Sequence, residues 1–399
     1  MIDIMLEEAD RMIRDVTRRF VNEQLIPLEQ QILRADTEED WVLDEGPGRR
    51  SALTHEQRDG IQRKAREVGL YELNLTVEEG GAGVTEMQRT LIAEEMGRTI
   101  TPLDLGGEAP NISMLEELAT PAQVEGYLLP LKTGEKSSCF MLTEPNAGGD
   151  ARGIEMRAER DGDNYVLNGT KIFITNADRA DFAIVMTVTD PDQKPRAGFT
   201  SFLVDLQDNP GVTITRPIST IVGGRLFEVA FEDAIVPAAA LLGERGQAFK
   251  PMQRRLGVRR LQICSTQVGA ATRALEMALA WSKQRVTFGK PLADRQAIQW
   301  MLAEAQTNIY AARVMIYDAV RKSMAGESIR HEISVIKPFA TEMAQKVIDD
   351  SMQIHGAAGM TSDLVLERMF RASRLSRIYE GPTEVHRMTN ARLLLKTSR

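Results

Sequence analysis

The sequence is short of several things. Of its 399 residues only two are Cys, Cys139 and Cys264, and four are His. Two cysteines cannot build a disulfide framework, and they fit a reducing compartment. So few Cys and His nearly exclude a Cys/His zinc cluster, and His331-Glu332 lacks the second His of an H-E-x-x-H site. Basic charge is in deficit: 49 Lys and Arg against 57 Asp and Glu leave a net charge of −8. A duplex nucleic-acid binder normally carries a basic footprint, so no nucleic-acid partner is expected. No apolar run reaches the roughly 18 residues of a membrane span. Met1 to Phe20 contains Asp3, Glu7, Glu8 and Asp10, unlike a signal or transit peptide, so the expected location is cytoplasmic. Familiar phosphate and nucleophile motifs are missing too. Gly81-x-Gly83 is followed by Glu86 where a dinucleotide fingerprint needs Gly, and neither G-x-x-x-x-G-K-[ST] nor G-x-S-x-G occurs. Aromatics make up only 5%, which disfavours an all-β sandwich.

What is present is an ordinary globular composition, 43% hydrophobic and 27% charged, in a chain long enough for two or three domains. The 19 Met suit helical cores, where a flexible thioether fills gaps. The hydrophobic period changes twice along the chain. Up to about Lys136 it is helical: Leu6, Ala9, Ile13, Val16 and Phe20 share one face. Thr37 to Arg50 reads as a polar loop. Thr54 with Gln57 predicts a capping box opening a helix that stops at Gly69. Gly80 to Gly83 reads as a flexible loop, with another helix after it through Met96. From Ser137 to Gly243 the period is that of strands. Tyr165 to Leu167 and Lys171 to Thr175 flank Asn168-Gly169, a hairpin signal, and Ala183 to Thr189, Ser201 to Leu206, Val212 to Thr215 and Phe227 to Phe231 follow. These strands predict a compact antiparallel, barrel-like domain. From Glu244 onward long apolar stripes, Ile298 to Ala319 and Ile333 to Ile354, predict a helix bundle. The expected division is therefore 1–136 helical, 137–243 β and 244–399 helical.

Three segments carry residues suited to chemistry. Thr143-Glu144-Pro145-Asn146-Ala147-Gly148-Gly149-Asp150 has small residues that let backbone N–H groups approach a ligand, although such a stretch also serves as a plain loop. Arg377-Ile378-Tyr379-Glu380-Gly381-Pro382 breaks helical pattern at Gly-Pro. It presents Glu380 among apolar neighbours, where a raised pKa would suit a base; a solvated helix end is the simpler reading. Arg285-Val286-Thr287-Phe288-Gly289-Lys290 offers cations for a phosphate and a ring for stacking, or a basic helix end complementing the dipole.

In order and separation, these segments together resemble the acyl-CoA dehydrogenase family, from about Met5 to Lys396. The nearest-looking members carry G-G-x-x-x-E-V-x-F, here Gly223 to Phe231, and E-G-P-x-E-V-H, here Glu380 to His386. The resemblance implies a mainly α fold with a β-barrel insert: an N-terminal helical domain, a middle β-barrel and a C-terminal four-helix bundle. It implies FAD as cofactor and explains the missing dinucleotide fingerprint, because the family binds FAD without one. It also implies an acyl-CoA substrate, an electron-transferring flavoprotein as acceptor, and a homotetramer built as a dimer of dimers.

Residue roles follow from the same resemblance. Glu380 matches the base that takes the α-proton of the thioester while the β-hydride moves to flavin N5. In the resembling enzymes the thioester carbonyl accepts hydrogen bonds from that base's backbone N–H and from the flavin ribityl hydroxyl. An alternative base position of the family falls here on Arg259. Arg260, Tyr379 and Gly381 match substrate contacts, as does Gly149. Phe140, Met141, Leu142, Thr143, Gly148 and Gly149 match the loop on the flavin pyrimidine side, and Phe173, Ile174 and Thr175 the strand against the flavin. Arg285, Phe288, Arg295 and Gln296 match groups sent to a neighbouring subunit's FAD, which Gln353, Ile354, Gly356 and Ala357 also meet. Pro382, Thr383 and Glu384 match the stretch near the adenosine end. Four departures from the family's usual residues cover five positions: Gly149 for Ser, Phe173 for Trp, Ala357 for Gly, and Pro382 with Glu384 for Thr and Gln. None of these removes a reacting group. The rival readings are an acyl-CoA oxidase, which reoxidises with O₂ but is commonly longer, and a non-catalytic flavoprotein of the same fold. Arg285→Ala is expected to lower FAD retention. Flavin content after gel filtration measures it, and full retention in a native-sized assembly would contradict the carry-over.

Overall fold

The computed structural model describes residues 6–38, 53–103, 109–193, 198–207, 209–222 and 225–397. In chain order the helices are α1 (Glu8–Phe20), α2 (Glu29–Glu38), α3 (His55–Glu67), α4 (Glu86–Met96), α5 (Ala109–Leu118), α6 (Pro121–Gln123), α7 (Leu129–Thr133), α8 (Phe249–Gln284), α9 (Gln296–Met324), α10 (Arg330–His355), α11 (Leu366–Ser376) and α12 (Thr383–Thr397). The strands are β1 (Ser138–Met141), β2 (Arg157–Asp161), β3 (Asn164–Ile174), β4 (Phe182–Val188), β5 (Phe199–Asp205), β6 (Val212–Ser219), β7 (Arg225–Pro237), β8 (Leu241–Leu242), β9 (Val286–Thr287) and β10 (Lys290–Pro291). N-terminal helices, a central β-sheet domain and a C-terminal helix bundle thus follow one another, as expected. The chain falls into two compact units. One comprises Met1–Leu73, Val84–Leu105 and Arg259–Arg399; the other comprises Asn74–Gly83 and Gly106–Val258.

The first unit is helical, and its N- and C-terminal helices share one core. Leu261, Val268 and Leu275 of α8, Ile309 and Ile316 of α9, Ile336, Ala340 and Val347 of α10, and Met87 and Leu91 of α4 lie in a single buried cluster. Burial on this scale, at about 25 cal/mol per Å² of apolar surface, is what holds the helices. Local signals end them as the sequence predicts. Gln57 N donates to Thr54 Oγ1 at 3.2 Å and Thr54 N to Gln57 Oε1 at 2.9 Å, and Gly69 turns the chain out at φ +73°. Two readings change. The buried face of α1 runs through Leu6, Asp10, Thr17 and Phe20, with Ala9 exposed, because Asp10 caps the helix start and Thr17 Oγ1 bonds back to Ile13 O at 2.7 Å. Helix α2 continues to Glu38, so the polar loop cannot begin at Thr37; residues 39–50 of that loop lie outside the described residues. Helices α4 and α8 meet backbone to backbone. A Cβ on Gly269 would overlap the Glu94 carbonyl, and one on Gly97 the Thr266 carbonyl.

The second unit is built on a sheet of order β6-β7-β3-β2-β4-β5-β8, with β1 beside β4. It is mixed rather than purely antiparallel, because β1 and β4 pair in parallel, Ser138 with Phe182 through Met141 with Val185. Strand β4 alternates between two cores. Ala183 and Val185 point into a cluster drawn from β1 to β5 and β7, while Phe182, Ile184 and Met186 face α5, α7 and the start of α8. The sheet curls around the first cluster like a barrel wall. Tyr165 of β3 and Phe202 of β5, not neighbours in the sheet, touch across it with ring centroids 4.9 Å apart.

Asn168-Gly169 is not a hairpin turn. Strand β3 runs straight through it from Asn164 to Ile174, and the reversal from β2 comes at Gly162, where Asp161 pairs with Asn164. Asn168-Gly169 is a bulge against β7. Asn168 Oδ1 accepts from Asp233 N at 2.8 Å and its Nδ2 donates to Asp233 Oδ1 at 3.1 Å. The amide side chain is thus spent on a neighbouring strand instead of closing a turn. Gly80 to Gly83 is an ordered turn, with Gly81 N donating to Thr76 O at 2.8 Å. Of the Gly223 to Phe231 segment, Gly223 and Gly224 lie outside the described residues, and the rest forms β7. Gly269→Val should destabilise the helical unit by about 1–3 kcal/mol, the usual cost of overpacking, read as a lower thermal midpoint. An unchanged midpoint would mean that α4 and α8 do not meet this closely.

Candidate functional site

The segment around Glu380 links α11 to α12. Thr383 N donates to Arg377 O at 3.1 Å, closing a tight turn. Inside it Glu380 has φ +56° and Gly381 φ +94°. A left-handed glutamate costs of the order of 1–3 kcal/mol and persists only when its surroundings over-determine it. Here they do. Lys337 Nζ, from α10, donates to Tyr379 O at 2.8 Å and to Gly381 O at 2.6 Å. Arg260 Nε, from α8, donates to Glu380 O at 2.8 Å, and His386 Nε2 of α12 lies 3.4 Å from the same oxygen. Three consecutive carbonyls are therefore held by two cations. A Cβ on Gly381 would press on His386 Nε2 and Arg260 Nη2.

Lys337 is buried, 1% exposed. Burial pushes its ammonium down to about 8, with Cys264 and Glu380 opposing and Arg260 assisting. Burial, aided by Arg260 and Lys337, pushes the His386 imidazole down to about 3, so His386 is neutral and adds no third charge. Neither Lys337 nor His386 was singled out from sequence. A signal for Lys337 existed: it falls on the apolar stripe between Ile333, Ile336 and Ala340, where a lysine needs a buried partner. Tyr379 is exposed, Glu380, Gly381 and Pro382 are half-buried, Thr383 is buried and Glu384 exposed.

A second group sits at the other end of α10. Strands β9 and β10 form a two-stranded ribbon whose turn is Phe288-Gly289, both left-handed at φ +48° and +74°. Phe288 is 98% exposed. Arg295 Nη2 braces the ribbon through Thr287 O at 2.7 Å. Arg285 and Gln296 are exposed. Trp281, one turn before Arg285, stacks on His355 at 5.1 Å, which brings the ribbon beside Gln353 to Ala357. Gln353, Gly356 and Ala357 are exposed, whereas the Ile354 side chain is buried. Lys337 and Gln353 are sixteen residues apart on one helix, roughly 24 Å at 1.5 Å per residue. The ribbon group and the Glu380 turn therefore stand at opposite ends of α10.

The third group belongs to the second unit. Phe173 has φ +59° at a break in the β3–β7 register. It is 53% exposed, and Thr175 is exposed on the same face, while Ile174 between them packs inside. Beside this strand runs Phe140 to Gly149. Ile172 N donates to Thr143 O at 2.9 Å. Wholly buried Lys171 donates to Leu142 O at 3.0 Å and to Glu144 Oε1 at 2.7 Å. Glu144 also accepts from Glu155 N at 2.6 Å and Met156 N at 3.1 Å. Burial pushes Lys171 down to about 8 against the pull of Glu144. Phe140, Leu142 and Thr143 are half-buried, Gly148 and Gly149 exposed, and Met141 lies in the core. Met141 and Ile174 thus present backbone only. A strained aromatic displayed outward beside a pinned loop with a Thr hydroxyl suits a planar heteroaromatic ring, which would cover the apolar face and meet polar atoms at its edge.

Comparison with known proteins gives one answer along the whole chain. Family models described as the acyl-CoA dehydrogenase N-terminal, middle and C-terminal domains match residues 7–135, 139–234 and 246–395. The chain is 34% identical to the (R)-benzylsuccinyl-CoA dehydrogenase of Thauera aromatica, covering 100% of this chain and 98% of that one. It is 33% identical to the 3-(aryl)acrylate reductase of Clostridium sporogenes, over 98% and 99%. Among solved structures, the butyryl-CoA dehydrogenase of Megasphaera elsdenii matches with a TM-score of 0.84 at 30% identity, over 98% of this chain and 99% of that chain. The loop under Thr143 gives its own test. Lys171→Met should cost about 3–5 kcal/mol, because it strands the buried Glu144 carboxylate. Adding Glu144→Gln should recover part of that loss in chemical denaturation; strict additivity would show that the two do not interact.

Proposed function

The chain belongs to the acyl-CoA dehydrogenase family, and from that premise we propose that it converts an acyl-CoA thioester to the trans-2-enoyl-CoA with Glu380 as base. It is an FAD-linked oxidoreductase acting on the CH–CH bond of an acyl-CoA. The observation that carries the finer reading is the presentation of Glu380. Glu380 stands in a left-handed turn whose backbone carbonyls are bound by buried Lys337 and half-buried Arg260, at the motif position of the family's base.

The residues fit the cofactor. Phe173 is an exposed ring of the right shape, Thr143 lies on the loop bonded to Ile172 beside it, Thr175 is two residues on and exposed, and the Phe140 to Gly149 loop supplies backbone atoms. We assign the flavin to Phe140, Met141, Leu142, Thr143, Gly148, Gly149, Phe173, Ile174 and Thr175. Arg285, Phe288, Arg295, Gln296, Gln353, Ile354, Gly356 and Ala357 would serve the FAD of a neighbouring subunit, and Pro382, Thr383 and Glu384 its adenosine end. When bound, FAD supplies the acceptor for the β-hydride.

The chain's own residues do the rest. An α-proton beside a thioester is far too weakly acidic for a free carboxylate, so the pocket must exclude water and stabilise the enolate. Glu380 takes the α-proton, and its backbone N–H donates to the thioester oxygen. Arg260, Tyr379, Gly381 and Gly149 line the substrate in this reading. A homotetramer is part of the proposal. Phe288, strained and 98% exposed at a ribbon tip, gains burial only from another molecule, and its distance along α10 from the Glu380 turn fits service to a neighbour's site. A cytoplasmic location and an electron-transferring flavoprotein as acceptor complete it. Among the described residues no helix is long and apolar enough to cross a membrane. The same groups run in reverse would reduce a 2-enoyl-CoA, a second reading favoured by the arylacrylate reductase relative.

Dye reduction with short, medium, long, branched and aromatic acyl-CoAs is expected to find a substrate, and 2-enoyl-CoA with reduced enzyme tests the reverse direction. Glu380→Gln should keep FAD yet lose about 10²-fold or more of turnover, the usual weight of a general base. Near-normal turnover by that variant on a good substrate would remove Glu380 from the reaction.

A further inference from the structure

The cation that holds the Glu380 turn touches a particular atom. Lys337 Nζ lies 2.8 Å from the carbonyl oxygen of Tyr379. That oxygen and the N–H of Glu380 belong to one planar peptide group, in which the carbonyl and the N–H point in opposite directions. We propose that Lys337 is a positioning residue for the reaction: by binding the Tyr379 carbonyl it strengthens the Glu380 N–H as the donor that meets the thioester oxygen when enolate charge develops. The inference rests on the reading of Glu380 as the base.

The physical chain is short. A hydrogen bond from an ionised donor is about twice as strong as a neutral one. Hydrogen bonds through a shared peptide reinforce each other, more so where water is excluded. A positive group on the oxygen draws electron density along the O–C–N unit and leaves the N–H more positive. The bond from Lys337 to Gly381 O at 2.6 Å, with Arg260 Nε on Glu380 O at 2.8 Å, keeps the peptide plane from rotating away. A neutral side chain such as Gln or Ser would satisfy carbonyls at far smaller desolvation cost. A lysine 1% exposed is an expensive way to fix a turn unless its charge is used. Of the groups facing it, Cys264, buried, with its thiol pushed up to about 12, is neutral, His386 is neutral, Arg260 is a like charge, and the Glu380 and Glu384 carboxylates favour the charged ammonium.

The test separates enolate stabilisation from folding and from hydride transfer. A 3-ketoacyl-CoA carries a carbonyl at C3 and has no β-hydride to give, so its enolisation in the site reports proton removal and oxyanion support alone. Purified FAD-loaded wild type, Lys337→Met and Lys337→Gln are mixed with acetoacetyl-CoA and with 3-ketooctanoyl-CoA at pH 7. The enolate absorbance of the bound probe is then compared with the total bound. Lys337→Met is expected to retain flavin while the enolate-to-keto ratio falls about tenfold, less than the roughly 10²–10³ that loss of a whole oxyanion donor costs, because the N–H itself remains. Lys337→Gln, which keeps a donor without the charge, should fall in between. With a substrate from the acyl-CoA panel, kcat should drop and KM should hold. A wild-type ratio in Lys337→Met overturns the inference, as does one in Lys337→Gln should the Met variant fail to fold. Wild-type protein that enolises neither probe and reduces its flavin with no acyl-CoA overturns the base assignment itself, and this inference with it.

Discussion

The arrangement around Glu380 depends on a lysine and an arginine binding backbone carbonyls inside a helical core. Lys337 and Arg260 take the oxygens of Tyr379, Glu380 and Gly381 in succession. These bonds to the turn end on carbonyl oxygens. A carbonyl dipole compensates a buried charge only in part, so the desolvation cost is met by two bonds from one ammonium and by the core around it. In return the turn keeps two left-handed residues in a row, one of them a glutamate. Gly381 belongs there because it alone tolerates φ +94° against His386 and Arg260.

The second unit uses the same device in another form. Lys171, also wholly buried, pins Leu142 O and the Glu144 carboxylate, which in turn collects the backbone N–H groups of Glu155 and Met156 just before β2. The loop bearing Thr143 is thus as firmly placed as the turn bearing Glu380. Two of the outward-facing aromatics, Phe173 and Phe288, sit at positive φ. Bulky residues rarely do, and exposed ones gain no packing to offset it. Such strain belongs where a ring must be displayed, and in both cases rigid neighbours carry it: the bulged β3 strand for Phe173, the Arg295-braced ribbon for Phe288.

The β domain shows where reading by local rule stops. Asn168-Gly169 has the composition of a two-residue turn, and only its environment makes it a bulge. Asp233 on β7 offers Asn168 two hydrogen bonds, and Met156 lies so near Gly169 that no side chain fits there. The parallel pairing of β1 with β4 was invisible for the same reason. Pairing partners are chosen by burial of whole faces, and alternation along one strand does not say which strand lies beside it. In the helices, by contrast, caps such as Thr54 with Gln57 and stops such as Gly69 act within a few residues, so they stand where the sequence puts them.

By itself the sequence determined the order helical, β, helical, the stripes of α9 and α10, and the motif positions at Thr143, Phe173, Arg285 and Glu380. These are properties of neighbours along the chain: period, capping, Gly-Pro punctuation and motif register. Only the tertiary structure decided what holds those positions. Lys337 is 43 residues from Glu380 and Arg260 is 120, and no local rule joins them. Which carbonyls a buried cation reaches is settled by packing, where every charge taken from water must find a partner in whatever chain lies beside it. The shortages that marked the sequence are reread accordingly. The chain is acidic overall, yet its basic side chains at these places are local, and its few aromatics include two that the fold displays at a cost in strain.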